Sequence, residues 1–372
     1  MKGGNMNDPR ITKLADVLLN YCVKLKEGQL MVINATELAA PLVRELFKKA
    51  LLLGAHPYTK IGIEGIEETY YKYASEQQLK FISPVSKFEI EKIDAAVGIM
   101  SIYNTRSLTN IDPKKQAIAH KAAAPFMKRY MERAAKGKLN WVGCLYPTYA
   151  SAQDAGMSLT DYEDFVFGAC ALDKKDPVGE WKKTSKYNQR LINYLKHKKE
   201  IRIIAPDTDL KYNVRGRIWI NCDGANNFPD GEVFTAPIED SASGHIHFSF
   251  PAEFSGREAE DVRIEFKNGK AVSAKASKGE EFLNTMLDVD KGARFLGEVA
   301  IGTNFGIKQF TRNTLFDEKI GGTIHIALGQ SYPESGGKNQ SGIHWDMVCD
   351  LRKGGEMYAD GELFFKNGKF LK

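Results

Sequence analysis

The sequence predicts an α/β fold in two parts: an N-terminal α/β domain with a mostly parallel sheet, followed by a β-rich α+β domain. In the first part, strand-length apolar runs alternate with amphipathic runs of helix length, which is typical of βαβ units. From Glu200 onward the apolar runs are short, and Gly, Pro, Asn and Asp separate them. That texture favours short β-strands with few helices. Because 372 residues exceed one common domain, we expect domains at 1–190 and 191–372.

The N-terminal half begins with a predicted helix near 11–26, where apolar residues recur at helical spacing. A strand at 30–33, an amphipathic helix ended by Gly54 and a strand opening at His56 complete the first βαβ unit. Further along, we predict buried strands at 93–100 and 139–145, and a helix at 114–136 interrupted at Pro125. Ser158 is predicted to cap another helix. No GxGxxG motif follows the first strand, so no dinucleotide site is predicted.

The C-terminal half is predicted to be β-rich with few helices. We expect strands at 201–205, 217–222, 245–250 and 262–266, and a helix near 278–290. Asn268-Gly269 and Asn367-Gly368 each lie between strand-like runs. Since two-residue hairpin loops need positive φ at both central positions, each pair predicts a tight hairpin turn.

Composition excludes several classes of protein. The net charge is +5 and 43% of residues are hydrophobic, but no arginine-rich patch with interleaved aromatics suggests nucleic-acid binding. No window approaches the ~18 apolar residues of a membrane span. The five cysteines form no CxxC pair and are odd in number, which favours reduced thiols over a disulfide framework. With no signal peptide evident, we expect a cytoplasmic protein without membrane or nucleic-acid partners.

Between Gly231 and Asp346 the sequence carries side chains suited to divalent metals, each in a short apolar or glycine-rich context. The candidates are Glu232, Glu298, His325, Tyr332, His344 and Asp346. Taken singly, such a glutamate is ordinarily a solvated charge, and such a histidine is ordinarily hydrogen-bonded in a core. His344 and Asp346 stand two apart and would share one face of a strand. One metal needs three or four protein ligands, so five good candidates fit two metals that share a carboxylate.

The same stretch resembles the M29 family of metallo-aminopeptidases, of the aminopeptidase T and aminopeptidase S type. The matching words are GEVFTAP at 231–237, GEVAIGTN at 297–304, HIALG at 325–329 and IHWD at 343–346. The resemblance implies two divalent ions bound by Glu232, Glu298, His325, His344 and Asp346, with Tyr332 at the site. It also implies a homodimer. Zinc or cobalt suits the mixed nitrogen and oxygen ligands, and magnesium or manganese is the alternative.

The predicted reaction is the release of N-terminal amino acids from peptides with a free N-terminus, through a water activated by two metals. Glu298 and Tyr332 are the predicted catalytic residues: a glutamate as general base, and the phenol as metal ligand or oxyanion donor. Either Glu298 or Asp346 is expected to bridge the metals. Two alternatives stay open, a metal-dependent hydrolase of another amide or ester, and a non-catalytic metal-binding protein.

Other polar residues compete for a place in the site. His245 and His247 also lie two apart on a predicted strand and form a rival metal pair. The remaining candidates, for the substrate's ammonium group or for supporting contacts, are Glu239, Asp240, Asn304 and Arg312. No G-x-S-x-G or HExxH motif is present, so neither a serine hydrolase elbow nor a zincin is predicted.

Overall fold

A computed structural model describes residues 8–254 and 256–372. The chain forms two compact units: the first ends at Val178 and takes in Gly224–Pro229, and the second comprises Gly179–Asp223 and Asp230–Lys372. The domain boundary expected between residues 190 and 191 stays a prediction. Among the described residues, no helix is long and apolar enough to cross a membrane.

Helices occur mainly in the first unit. Their bounds are α1 (Pro9–Val17), α2 (Ala40–Leu52), α3 (Ile66–Tyr73), α4 (Glu76–Leu79), α5 (Pro84–Lys92), α6 (Pro113–Ala135), α7 (Tyr149–Asp154), α8 (Leu159–Ala169), α9 (Pro177–Leu195), α10 (Glu280–Leu287) and α11 (Thr314–Asp317). A π-helical turn covers Leu18–Cys22, and 3₁₀ turns cover Glu37–Ala39 and Pro333–Ser335.

The strands form one parallel sheet in the first unit and antiparallel sheets in the second. They are β1 (Leu30–Thr36), β2 (His56–Gly62), β3 (Ala95–Met100), β4 (Asn140–Leu145), β5 (Glu200–Ala205), β6 (Thr208–Asn213), β7 (Ile220–Cys222), β8 (Asn227–Phe228), β9 (Glu232–Thr235), β10 (Ser243–Phe248), β11 (Ala252–Phe254), β12 (Arg257–Ala259), β13 (Val262–Lys267), β14 (Lys270–Lys275), β15 (Leu296–Gly302), β16 (Thr323–Gly329), β17 (His344–Asp350), β18 (Glu356–Ala359), β19 (Glu362–Lys366) and β20 (Lys369–Phe370). In the first unit, β2-β1-β3-β4-β8 pair in that order and in parallel. The predicted fold class is confirmed.

Two helices in the first unit differ from the prediction. The predicted helix at 11–26 gives way after Val17 to the π-helical turn, which ends at Cys22. The predicted break at Pro125 is wrong, because α6 runs through that proline without interruption. A helical proline removes one backbone donor, but both halves of α6 are held to their surroundings. Lys115 Nζ donates to the Tyr71 carbonyl at 2.8 Å, and Arg133 donates to the Ile93 carbonyl at 2.7 Å.

The second unit contains an eight-stranded sheet, β14-β13-β10-β6-β5-β18-β19-β20, and a five-stranded sheet, β17-β16-β15-β9-β7. Residues of both sheets, α9 and α10 share one large apolar cluster. The two predicted hairpins are present between β13 and β14 and between β19 and β20. Their Asn-Gly pairs have positive φ, 50° and 79° at 268–269 and 49° and 76° at 367–368, as the tight turn requires.

Candidate metal centre

Four neighbouring strands of the five-stranded sheet carry the predicted metal ligands on one face. The pairing register places Gly302 opposite Glu232, Ala300 opposite His325, Ala327 opposite both Glu298 and Asp346, and Gly329 opposite His344. Directly paired residues share a face of a sheet. The strands therefore bring the five predicted ligands together and set alanine and glycine between them, which leaves room above the sheet.

The opposite face of these strands is apolar. Residues next to the ligands in sequence point into the core of the second unit, as the period of two requires. They include Val233, Val299, Ile324, Ile326, Trp345 and Met347, all of them nearly or fully buried in one cluster. Burial of this face fixes the register, because a slip of one residue would exchange the two faces. The core thereby sets where each ligand points.

A β-bulge at Gly297 adjusts the orientation of Glu298. In the pairing of β15 with β16, Leu296 faces Leu328 and Glu298 faces Ala327. An advance of two residues along β15 therefore matches an advance of one residue along β16. Leu296 therefore lies in the core while Glu298, two residues on, points to the ligand face. A Cβ at Gly297 would lie 2.4 Å from the Gln330 carbonyl oxygen. Glycine is thus required where the bulged strand approaches its neighbour.

The ligand atoms converge on Glu298 and the two histidines. Glu298 Oε1 lies 3.4 Å from His325 Nε2, and Glu298 Oε2 lies 3.4 Å from His344 Nε2. Asp346 Oδ1 lies 3.4 Å from His344 Nε2 and 3.8 Å from His325 Nε2. Glu232 Oε2 lies 3.7 Å from His325 Nε2.

Both imidazoles are oriented by the main chain. His325 Nδ1 lies 2.9 Å from the Glu318 carbonyl oxygen, and His344 Nδ1 lies 2.8 Å from the Gln330 carbonyl oxygen. A carbonyl can only accept, so Nδ1 carries the hydrogen in both rings. In the neutral tautomer each Nε2 therefore has a free lone pair aimed at the carboxylates. This is the arrangement that metal-ligating histidines adopt in proteins.

Burial and mutual charge shift the pKa of each group in the metal-free site. Burial raises the pKa of Glu232 to about 8, against the opposing charge of Lys319. Burial would lower the pKa of His325, but the hydrogen bond to Glu298 and the charges of Glu232 and Asp346 outweigh it and raise that pKa to about 10. The pKa of Asp346 is lowered, because His344 and His325 oppose the effect of burial.

The donor set fits a divalent cation. Glu232 Oε2 and Asp346 Oδ1 are buried, and neither accepts a hydrogen bond within the part of the chain that the structure describes. An orphaned buried carboxylate oxygen is costly unless a cation satisfies it. Two groups of ligand atoms lie within 4.8 Å of one another, Glu298 with His344 and Asp346, and Glu318 with His325 and Asp346. Asp346 belongs to both groups.

The structure adds residues that sequence reasoning missed. Glu318 contributes a ligand atom beside His325 and Asp346, and Lys319 is completely buried, with its Nζ 3.7 Å from Glu232 Oε1. A third group of ligand atoms within 4.8 Å is formed by Cys222, Asp230 and Glu232. A charged Asp-Glu-Lys run ordinarily indicates a solvated turn. The one feature of the sequence that could have indicated burial is the position of this run, which ends four residues before the buried strand β16.

Tyr332 lies beside the ligands on the loop that follows β16. Its ring centroid is 4.9 Å from that of His344 and 5.5 Å from that of Phe234, and 39% of the residue is exposed. Burial of the phenol group raises its pKa above the ordinary value, with the charges of Glu298 and Asp346 adding to the effect. The hydroxyl therefore keeps its proton at neutral pH and is a donor.

The rival histidines lie elsewhere. His245 and His247 are on β10 in the eight-stranded sheet, where His245 is exposed and His247 Nε2 lies 2.7 Å from Asp261. His247 thus contacts a surface carboxylate, and both histidines lie in a different sheet from the ligand face.

The other polar candidates mostly support loops, and Asp240 lies in a turn after β9. Glu239 accepts hydrogen bonds from Arg217 Nη2 at 2.7 and 2.8 Å and from the Lys338 amide at 2.8 Å. Arg312 Nε lies 3.4 Å from Glu258. Asn304 Nδ2 donates to the Asp230 carbonyl at 2.8 Å and so fixes the chain just before Glu232.

This fold and this cluster of carboxylates and imidazoles are those of a metalloprotease. A family model described as thermophilic metalloprotease (M29) matches residues 7–370. The chain belongs to that family, and the predicted M29 resemblance and a peptidase activity are confirmed.

Similar proteins are matched over nearly their whole length. Aminopeptidase 2 of Geobacillus stearothermophilus is 28% identical, with 98% of each chain covered. Aminopeptidase T of Thermus thermophilus is 30% identical, with 94% of each chain covered. A solved structure of wild-type AmpT from Thermus thermophilus superposes with a TM-score of 0.84 at 25% identity, covering 98% of this chain and 99% of the other.

Proposed function

We propose that the chain is an aminopeptidase that releases N-terminal amino acids from peptides, using two divalent ions bound by Glu232, Glu298, His325, His344 and Asp346. The observation that carries the proposal is the convergence of these five side chains on one face of a sheet whose other face is core. The matched relatives are named aminopeptidases, which supports the same substrate class.

Bound divalent ions would supply Lewis acidity towards the scissile carbonyl and towards a water molecule. Two imidazoles and several carboxylates suit zinc or cobalt better than magnesium, which prefers oxygen ligands. Glu298 has one oxygen beside each imidazole, the arrangement expected of a carboxylate shared by two ions. Asp346 reaches both imidazoles through the same oxygen.

The chain's own groups supply proton transfer and charge stabilisation. A carboxylate of the site would accept the proton of the attacking water. Glu298 is our candidate if Asp346 is the shared carboxylate, because an oxygen that holds a metal ion is a poor base. Tyr332, kept protonated by its raised pKa, donates a hydrogen bond to the oxyanion that forms at the carbonyl. A substrate with a free N-terminus fits the proposal, because an aminopeptidase must recognise the ammonium group that marks the end of the peptide.

One experiment tests the proposal directly. The purified protein is analysed for metal and assayed on aminoacyl-arylamides before chelation, after chelation and after return of Zn²⁺ or Co²⁺. We expect about two ions per chain, loss of activity with the metal and recovery with its return. Full activity in metal-free protein would exclude the proposal. Faster hydrolysis of arylesters or of N-blocked amides would favour another metal-dependent hydrolase. Homodimer formation and a cytoplasmic location stay predictions of the sequence.

A further inference from the structure

The side chain of Lys319 is buried without any exposure next to the candidate metal ligands. Its ammonium group contacts the Glu318 carboxylate, and its Nζ lies 3.7 Å from Glu232 Oε1. A lysine removed from water stays charged only where opposite charges and hydrogen bonds replace its hydration. The surrounding carboxylates meet that requirement. The protein therefore keeps a permanent positive charge of its own inside the acidic centre.

This charge lies next to a cluster that would otherwise suit a cation. Ligand atoms of Cys222, Asp230 and Glu232 lie within 4.8 Å of one another. The Nζ of Lys319 lies 3.7 Å from Glu232 Oε1, and its charge also acts on Cys222 and Asp230. A divalent ion placed among them would stand against the ammonium group, and two like charges at such range repel strongly in a buried site.

The two oxygens of the Glu232 carboxylate face different neighbours. Its Oε1 faces Lys319, whereas its Oε2 is buried, accepts no hydrogen bond from the described residues and lies 3.7 Å from His325 Nε2. One oxygen is thus engaged by the lysine, and the other is left for a metal on the histidine side.

We propose that Lys319 is a built-in monovalent cation that takes the place of a metal ion at the Cys222–Asp230–Glu232 end of the centre and limits divalent ions to the histidine side. This inference rests on the proposed metal binding. The formal charges of the side chains in the centre agree with this assignment of Lys319. The carboxylates of the centre are Asp230, Glu232, Glu298, Glu318 and Asp346. Together with Lys319, their formal charge is equal and opposite to that of two divalent ions.

The test compares zinc uptake in variants that change this charge. Lys319→Met removes the ammonium group and keeps the length of the side chain. The double variant Glu318→Gln/Lys319→Met removes one charge of each sign and leaves the balance unchanged. Lys366→Met is the control, because Lys366 is half-exposed and pairs with Glu356 in the other sheet. Zinc per chain and the free zinc at half-saturation are measured by chelator competition from zinc-loaded proteins, so each variant is compared in its folded state.

We expect the wild-type protein and Lys366→Met to hold two zinc ions. Lys319→Met should bind a third zinc ion, or its free zinc concentration at half-saturation should fall by roughly tenfold or more. Either result is expected because a like charge has been removed. In the double variant, the number of zinc ions per chain and the free zinc at half-saturation should move back towards the wild-type values. Unchanged or weaker zinc binding in Lys319→Met would overturn the inference and would make Lys319 a group that positions Glu232. A wild-type protein that takes up no zinc would instead overturn the proposed function, and the inference with it.

Discussion

Glu298 Oε1 and His325 Nε2 lie 3.4 Å apart although 27 positions separate them in sequence. The two residues are on adjacent strands but are not directly paired, because His325 faces Ala300 and Glu298 faces Ala327. Their meeting depends on the bulge at Gly297 and on the Nδ1 hydrogen bond that turns the imidazole towards the carboxylate. Because Glu298 lies beside both imidazoles, we expect the centre to be especially sensitive to its substitution.

Replacing Glu298 with glutamine keeps the size of the side chain and removes its charge. We expect metal content to fall together with activity, and activity to fall by more than about 100-fold, since loss even of a supporting group at a metal site costs ~10–100-fold. Metal analysis and an aminopeptidase assay of the same sample check this. A variant with two ions per chain and near-normal activity would remove Glu298 from the site.

Tyr332→Phe separates transition-state stabilisation from metal binding. The ring contacts with His344 and Phe234 remain, and only the hydroxyl is lost. If that hydroxyl donates to the oxyanion, kcat and kcat/KM should fall equally by ~10²–10³, with metal content unchanged. Loss of metal in this variant would show that the phenol oxygen is a ligand instead.

N-terminal acetylation of a peptide should block its hydrolysis. An aminopeptidase, as proposed here, must recognise the free ammonium group of its substrate, and acetylation removes that charge. We expect kcat/KM on the acetylated peptide to fall by ~100-fold or more, because a charged group is left without its partner. The free peptide of the same sequence is the control. Comparable rates on both would indicate an endopeptidase or an amidase.

Gly297→Ala should disrupt the bulge that orients Glu298. The added Cβ would lie 2.4 Å from the Gln330 carbonyl oxygen and 2.5 Å from that of Gly329. We expect a loss of ~1–3 kcal/mol in the free energy of unfolding, together with weaker metal binding. Gly168→Ala in α8 is the matched control, because a Cβ there meets nothing within 4 Å, and alanine stabilises a helix by roughly 0.5–1 kcal/mol. Equal behaviour of the two variants would contradict this account of the bulge.

Metal uptake should release protons. In the metal-free protein the pKa of His325 is raised to about 10 and that of Glu232 to about 8, so both groups are largely protonated at pH 7. A ligand must lose its proton to bind a metal. Zinc affinity should therefore rise with pH up to about 10, roughly tenfold per pH unit for each proton released. Calorimetric titration at pH 7 in buffers of different ionisation heat measures the release, with zinc-saturated protein as the control. A binding heat that is the same in all buffers would contradict the prediction.

The fold class was predicted from local signals, whereas the set of candidate ligands came from the resemblance to the M29 family and stays a prediction. Alternating strand and helix runs indicated the parallel sheet, and the two-residue spacing of His344 and Asp346 indicated one shared face. The order β17-β16-β15-β9 that brings the ligands together depends on pairings between distant segments, which no local pattern specifies. Lys319 and Glu318 were missed for the same reason. Their burial follows from the tertiary packing around β16, whereas their own run of charges favours exposure.

The continuity of α6 through Pro125 also lay beyond local reasoning. A proline predicts a break because it removes a hydrogen bond, but contacts at both ends of α6 decide the outcome. Tertiary contacts commonly override a single unfavourable residue in this way.

The two faces of the five-stranded sheet have different roles. Stability depends on Val299, Ile324, Ile326 and Trp345, which face the core, whereas the proposed chemistry depends on residues one position away that face the ligand side. A single substitution on the ligand side can therefore abolish catalysis and leave a well-folded chain. Loss of activity in such a variant would therefore report on the site itself, since the core face that holds the fold together is left unchanged.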